Sequence, residues 1–266
     1  MKKVRVDLLL VERGLAESRT QAQRLVMAGQ VRVDGQLVLK PSAPVSPEAG
    51  LELQGGPRFV SRGGEKLEAA LTAFRIEVAG KVCADVGAST GGFTDCLLQH
   101  GADKVYAIDV GKGLLHWQLR QDPRVIVMEE TNARFLESLP ERISLVTVDA
   151  AFISLKLLLP VVKNWLQTDG EVIALIKPQF EAGRSQSAKG EGVIRDPAVH
   201  RQVLLEVMTF AQSTGWRVGG LLRSPLRGPK GNVEFLAHLS PSTAGGGQLT
   251  ELVESVLTIP GEVLPR

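Results

Sequence analysis

Four charged residues stand apart by position: Lys66, Asp149, Lys177 and Glu234. Lys177 directly follows the apolar run Val172-Ile173-Ala174-Leu175-Ile176, Asp149 follows Leu145–Val148, Glu234 lies in Val233–His238, and Lys66 comes shortly before the first such run. Open α/β sheets bind ligands beyond the carboxyl ends of their strands, which is where Asp149 and Lys177 fall. Two ammonium groups and two carboxylates gathered there could align a nucleophile and carry away one proton. In that arrangement Lys177 is the base or positioning group, with Lys66 as a second ammonium beside it and Asp149 and Glu234 orienting it. Any one of them alone is better explained as an ordinary ion pair, so the expectation of a site rests on all four meeting.

A second constellation lies upstream. Val82-Cys83-Ala84-Asp85-Val86 leads into Gly87-Ala88-Ser89-Thr90-Gly91-Gly92 and a helix starting near Phe93. The missing side chains of such a strand-loop-helix let a flat polar ligand lie against the backbone. A dinucleotide fold would show G-x-G-x-x-G, but Ser89 takes the second glycine position, so the loop suits a nucleoside better than a pyrophosphate. Asp109, ending the run Tyr106-Ala107-Ile108-Asp109, can accept hydrogen bonds from both hydroxyls of a ribose. In the usual arrangement of S-adenosylmethionine enzymes, Asp85 lies near the methionine end and Asn132 near the adenine. Asp95 is read only as a first-turn helix carboxylate.

The nature of the acceptor follows from what is missing. Asp149-Ala150-Ala151-Phe152 lacks both prolines of the Asn/Asp-Pro-Pro-Tyr/Phe turn used on exocyclic base nitrogens. Neither Cys83 nor Cys96 sits in the Pro-Cys or Thr-Cys turn that C5 methylation of pyrimidines needs.

These residues need a scaffold. Strands are expected at Val82–Val86, Lys104–Asp109, Val125–Glu129, Leu145–Val148, Glu171–Ile176, Trp216–Leu222 and Val233–His238, alternating with helices that include Phe93–His100, Leu155–Gln167 and Ala198–Ser213. That alternation predicts an α/β, Rossmann-like, mainly parallel seven-stranded sheet. Ahead of it a small α+β module is expected, with helices at Asp7–Arg13 and from a Ser18 cap to Ala28, then a hairpin turning at Asp34-Gly35. Pro41, Pro44, Pro47, Gly55-Gly56-Pro57 and Gly63-Gly64 mark residues 40–64 as a strand-poor connector. The expected division is a module over 1–60, a linker over 61–64, a catalytic domain over 65–240, and a flexible linker with a helix at Leu249–Leu257 over 241–266.

Residues 1–60 hold nine Lys/Arg against six Asp/Glu, a net +3 within a chain of net +2. Arg5, Arg19, Gln23, Arg24 and Arg32 in the module, with Arg62 in the connector, suit the phosphates and shallow minor groove of folded RNA. Cys83 and Cys96 sit in apolar stretches as core residues, no run approaches a membrane span, and the basic start is interrupted by charge. A soluble, cytoplasmic protein is expected. His100, His116, His200 and His238 lack metal-ligand spacing, so no metal is expected.

Several stretches together resemble the TlyA family, also called hemolysin A. They are Val60-Ser61-Arg62-Gly63-Gly64-Glu65-Lys66-Leu67, Asp85 to Asp95, Asp109-Val110-Gly111, Lys177-Pro178-Gln179-Phe180-Glu181 and Gly228 to Phe235. The resemblance implies an RNA-binding domain of the ribosomal S-four type ahead of an FtsJ-like domain that methylates ribose 2'-hydroxyls of ribosomal RNA in ribosomal subunits, with S-adenosylmethionine as cofactor. It carries the family's Lys-Asp-Lys-Glu catalytic set onto Lys66, Asp149, Lys177 and Glu234, and its cofactor loop onto Gly87 to Gly92, with Phe93 and Val110 beside it. The tail after Gly245 lies outside the resemblance. Two other functions stay open: an RNA-binding assembly factor without activity, and a membrane-active hemolysin, which no spanning helix or strongly basic amphipathic stretch supports.

Overall fold

Short helices and strands with one apolar side each must share a core, and the first fifty residues do so. In the computed structural model, residues 3–53, 58–183, 192–241 and 249–258 are described. The chain divides into two compact units, Met1–Arg58 and Phe59–Arg266. The first runs β1 (Val4–Arg5), α1 (Val6–Glu12), α2 (Arg19–Met27), β2 (Val31–Val33), β3 (Gln36–Leu37), β4 (Pro44–Val45) and β5 (Leu51–Leu53). Val6, Leu9, Leu10, Ala22, Val26 and Val31 are fully or almost fully buried in its core. The Ser18 hydroxyl caps α2, accepting from the Gln21 amide at 3.2 Å. Asp34 and Gly35 both take positive φ, 49° and 78°, as a tight hairpin turn requires. The expected strand-poor connector is corrected: β4 pairs with β1 and β5 with β2, so residues 44–53 complete this unit. Strands of two and three residues leave no periodic signal, and Pro44, lacking an N–H, is tolerated because its strand pairs on one side only.

The second unit is a seven-stranded sheet of β6 (Val82–Val86), β7 (Lys104–Ile108), β8 (Val125–Met128), β9 (Ile143–Val148), β10 (Leu166–Ile176), β11 (Trp216–Arg223) and β12 (Phe235–Pro241). The spatial order is β11-β12-β10-β9-β6-β7-β8, parallel from β10 to β8, with β12 antiparallel to both β10 and β11. The helices are α3 (Gly63–Phe74), α4 (Gly92–Gln99), α5 (Trp117–Gln121), α6 (Leu155–Lys163), α7 (Pro178–Glu181), then Pro197–Ser213 and Leu249–Leu257. One apolar cluster joins Leu67, Leu71, Phe93 and Leu97 to the sheet; another joins Leu158, Val162, Val207 and Trp216. The last helix adds Val253 and Val256 to the second cluster, which gives it a packing role the sequence left open. Several boundaries differ from expectation, among them one across an expected linker and one by more than a residue or two. α3 starts at Gly63, inside the expected linker. α6 stops at Lys163 and β10 starts at Leu166, its register with β9 breaking between Leu166 and Glu171, so a bulge hid the front of the strand.

Within the first unit, Asp7 is inaccessible to solvent and collects most of the polar side chains expected to meet RNA. Arg5 donates to it through Nε at 2.9 Å and Nη2 at 2.8 Å, Arg19 at 3.2 Å and Gln23 at 3.0 Å. The Arg5 hydrogen bond, with those of Gln23 and Arg19 behind it, holds the Asp7 carboxyl well below the usual range against the opposing effect of burial. A depressed carboxyl contributes stability above its ordinary value and loses it as the pH falls through the folded one. Asp7→Ala is therefore predicted to cost on the order of 2 kcal/mol in urea unfolding at neutral pH, with the difference from wild type shrinking in strong acid. Equal stability of the two proteins at pH 7 would refute this clamp.

Candidate active site

Strand register decides which loop residues meet. Val86 pairs with Ile108 and Val148, and Val148 with Ala174, so Gly87, Asp109 and Asp149 leave the sheet side by side. Across the antiparallel pair Ile176 aligns with Phe235, which sets Lys177, just after β10, beside Glu234, just before β12. Glu234 thus precedes the strand expected to contain it. The order of strands reverses between β6 and β9, the place where such sheets open a crevice.

Lys66, Asp149, Lys177 and Glu234 line one cavity of about 340 Å³. They meet as two ion pairs rather than as one lysine with three companions. The Lys177 Nζ lies 2.5 Å from Asp149 Oδ1, and 3.3 Å from the backbone oxygens of both Asp149 and Ala150. The Lys66 Nζ, on α3, donates to Glu234 Oε2 at 2.6 Å. Glu234 is 1% exposed, and among the described residues its Oε1 has no hydrogen-bond partner. Gly228 makes room for that oxygen, since a Cβ there would lie 1.9 Å from it.

Beside this lies a cavity of about 620 Å³, lined by Gly87, Ser89, Asp109, Val110, Asn132 and Asp149 among others. Gly87, Ser89 and Asp149 line both cavities. Asp109 is anchored at both oxygens: Ser89 N–H donates to Oδ2 at 2.8 Å and Gly111 N–H to Oδ1 at 2.7 Å. Ser89 adopts φ 49°, a conformation costly for a side-chain-bearing residue. The Asn132 side-chain oxygen accepts from Arg134 N–H at 3.0 Å. Of the other loop residues, Ala88, Thr90, Gly92 and Phe93 line the smaller cavity, while Gly91 packs on Leu115 and Leu119 and lines neither. Arg62, exposed at the start of α3, is on the wall of the smaller cavity. In the first unit Arg24 is exposed on α2, and Arg32 donates to the Gly35 carbonyl at 2.8 Å.

Two residues of this region escaped the sequence reading. Phe152 is 89% exposed, has φ 62°, lines the larger cavity, and its ring lies 4.9 Å from that of Phe180. The Phe180 ring lies in turn 5.8 Å from Lys177 Nζ. The signal was an aromatic three residues after Asp149, set aside because the turn lacked prolines. Glu129 accepts from the N–H groups of Gly113 and Leu114 at 2.9 and 3.0 Å, and Arg120 also donates to it, which fixes the loop carrying Val110 and Leu114 at the cavity edge. The Gly113 N–H above all, helped by Arg120, holds the Glu129 carboxyl down at about 2 despite desolvation.

Asp85 stands apart from both cavities. It was expected near the methionine end of a cofactor, yet it is wholly buried and lines neither cavity. Thr94 donates to its Oδ2 at 2.7 Å and Thr147 to its Oδ1 at 3.0 Å, so it ties α4 and β9 to β6. Burial pushes its carboxyl up to about 7, against the two threonine hydrogen bonds. The folded state then holds a proton that the unfolded chain gives up, so stability falls as the pH rises from about 4 towards 7, by at most about 1.4 kcal/mol per pH unit. Asp85→Asn should flatten that loss in pH-dependent denaturation and be no less stable than wild type at pH 8. A variant that followed the wild-type pH profile would overturn this reading.

Known proteins resemble both parts of the chain. A family model of the FtsJ-like methyltransferases matches residues 59–240, and one of the S4 domain matches residues 4–50. The chain is 48% identical over 246 residues, 91% of each chain, to the "16S/23S rRNA (cytidine-2'-O)-methyltransferase TlyA" of Mycobacterium tuberculosis. It is 49% identical over 245 residues, 90% of this chain and 86% of the relative, to the Bacillus subtilis protein described as "Putative rRNA methyltransferase YqxC". A solved structure, "Putative hemolysin from Streptococcus thermophilus", superposes with a TM-score of 0.73 at 45% identity, covering 97% of this chain and 95% of that one. With an S4 domain ahead of an FtsJ-like methyltransferase domain, the chain belongs to the TlyA family.

Proposed function

We propose that this chain methylates ribose 2'-hydroxyls of ribosomal RNA in ribosomal subunits, in the cytoplasm, using S-adenosylmethionine, with cytidine as the target nucleotide, as in the name of the tuberculosis relative. The observation that carries the reading is the pair of ion pairs, Lys177–Asp149 and Lys66–Glu234, on a cavity that shares Gly87, Ser89 and Asp149 with a cavity of nucleoside size. The residues suit the cofactor. Each Asp109 oxygen receives one backbone donor and keeps lone pairs for ribose hydroxyls. Gly87 leaves the loop open, and Val110 and Asn132 would flank the adenine. Asp149, common to both cavities, lies towards the methionine end, with Asp85 behind it in β6.

When bound, the cofactor supplies a methyl carbon already activated by its sulfonium. The protein's part is to align the acceptor hydroxyl and to take one proton. Lys177 holds the hydroxyl oxygen, and the hydroxyl proton passes to the Asp149 carboxylate, whose Oδ1 lies 2.5 Å from Lys177 Nζ. Lys66 and Glu234 form the second charge pair of the cavity and keep it charge-balanced. Phe152 offers an exposed ring on which the base of the target nucleotide can stack. The unit Met1–Arg58 docks the RNA through its S4 domain, by Arg24, Arg32 and the outer faces of Arg5, Arg19 and Gln23; Arg62 acts at the cavity wall. An inactive assembly factor would have no use for two charge pairs beside a nucleoside-sized cavity. For a membrane-active protein, no helix among the described residues is long and apolar enough to cross a membrane.

Two measurements test the roles. Asp109→Ala should weaken S-adenosylmethionine binding in calorimetry by about 1.5–3 kcal/mol, the worth of a hydrogen bond to a charged acceptor; NAD binding in place of S-adenosylmethionine would sink the assignment. Lys177→Ala should lower the single-turnover rate of methyl transfer to rRNA by about 10²–10⁴-fold with rRNA affinity nearly unchanged. A variant as fast as wild type would remove Lys177 from the chemistry.

A further inference from the structure

A third cavity, of about 670 Å³, lies in the second unit around the start of the helix Pro197–Ser213. Arg195, Arg223, Arg227 and Lys230 line it over an apolar floor that includes Phe235, and among the described residues no carboxylate does. Such a collection of cations is not what the surrounding composition would scatter there, because residues 61–266 carry a formal net charge of −1. The positive charge does not depend on the histidine in the wall: burial above all keeps His200 below its ordinary value, and its Nε2 is engaged with the Ile194 carbonyl at 3.0 Å. Arg227 lines this cavity and also the one that holds Lys177 and Asp149. The two cavities therefore share Arg227 in their walls, and its Nη1 donates to the Gly231 carbonyl at 3.4 Å.

We propose that this cationic cavity is a phosphodiester-binding site that holds the RNA backbone next to the target nucleotide. Guanidinium groups match phosphate oxygens with paired hydrogen bonds, which a scattered surface lysine does not. Their contribution to affinity comes through release of counterions and not through reading of bases. The site thus acts as a sequence-independent hold on the strand, separate from the docking surface of the S4 domain. The proposal rests on the reading that the substrate is RNA.

The test uses the full chain with Arg195→Gln and Arg223→Gln combined, neither of which lines the catalytic cavity. Filter binding to rRNA transcripts over a range of salt concentrations should give weaker binding at low salt, with the slope of log affinity against log salt flattened by about one per arginine. The KM for rRNA should rise while kcat at saturating rRNA and S-adenosylmethionine affinity hold. Arg195→Lys with Arg223→Lys should restore most of the slope, which separates lost charge from damaged folding. A double glutamine variant with the wild-type slope and KM would overturn the cavity's role and leave the proposed function standing. The same holds if millimolar inorganic phosphate raised the melting temperature of wild type but not of the variant while rRNA binding stayed equal, since the cavity would then serve a free anion. Wild-type protein that binds rRNA with this arginine-dependent slope yet never methylates it would count against the function and support the cavity.

Discussion

The close approach of Gly87 to Asp149 is the constraint on which the rest of the site depends. The pairing of Val86 with Val148 brings the two loops out of the sheet together, and the Asp149 amide donates to the Val86 carbonyl at 2.8 Å. A Cβ on Gly87 would lie 2.7 Å from the Asp149 carbonyl oxygen, and the residue has φ 82°, so a side chain there would push the loops apart. Were they apart, the nucleoside-sized cavity and the charged one would no longer share a wall. Transfer of a small group between two bound molecules needs such a shared wall, because reacting atoms must be held about 3–3.5 Å apart.

Charge in the site is arranged by the same register. Parallel pairing carries Asp149 to the end of β9, and antiparallel pairing sets Glu234 beside Lys177. Each lysine then has its own carboxylate. Removal of one member of such a partly buried pair leaves the other uncompensated, which makes the four residues interdependent and their single substitutions non-additive. Glu234 is the most exposed to this effect, since it is almost wholly buried and one of its oxygens has no hydrogen-bond partner among the described residues.

Much of this was legible before the fold. Apolar β-branched runs marked the strands of the large sheet, and the residues at their ends could be assigned to one edge because sheets of this class bind ligands there. What stayed hidden has physical causes. β4 and β5 are too short for periodicity to register, and the front of β10 is masked by a bulge. Asp85 looked like a ligand group because sequence gives no account of depth, and only packing reveals that two threonines seal it. The exposure of Phe152 is a matter of backbone conformation, a positive φ that no residue type announced. Arg5, Arg19 and Gln23 could be seen as polar and close in sequence, but their convergence on one buried aspartate is a tertiary fact.

The claim that a ribose hydroxyl is the acceptor has a direct chemical signature. Alkaline cleavage of RNA requires attack by the free 2'-oxygen on the adjacent phosphate, so a methyl group on that oxygen blocks cleavage at its own position. The decisive measurement is to incubate the protein with ribosomal subunits and S-adenosylmethionine labelled in the methyl group, then hydrolyse the rRNA in alkali. The account predicts label in alkali-resistant dinucleotides, and none with Lys177→Ala. Label recovered in mononucleotides, with the methyl on a base, would contradict it.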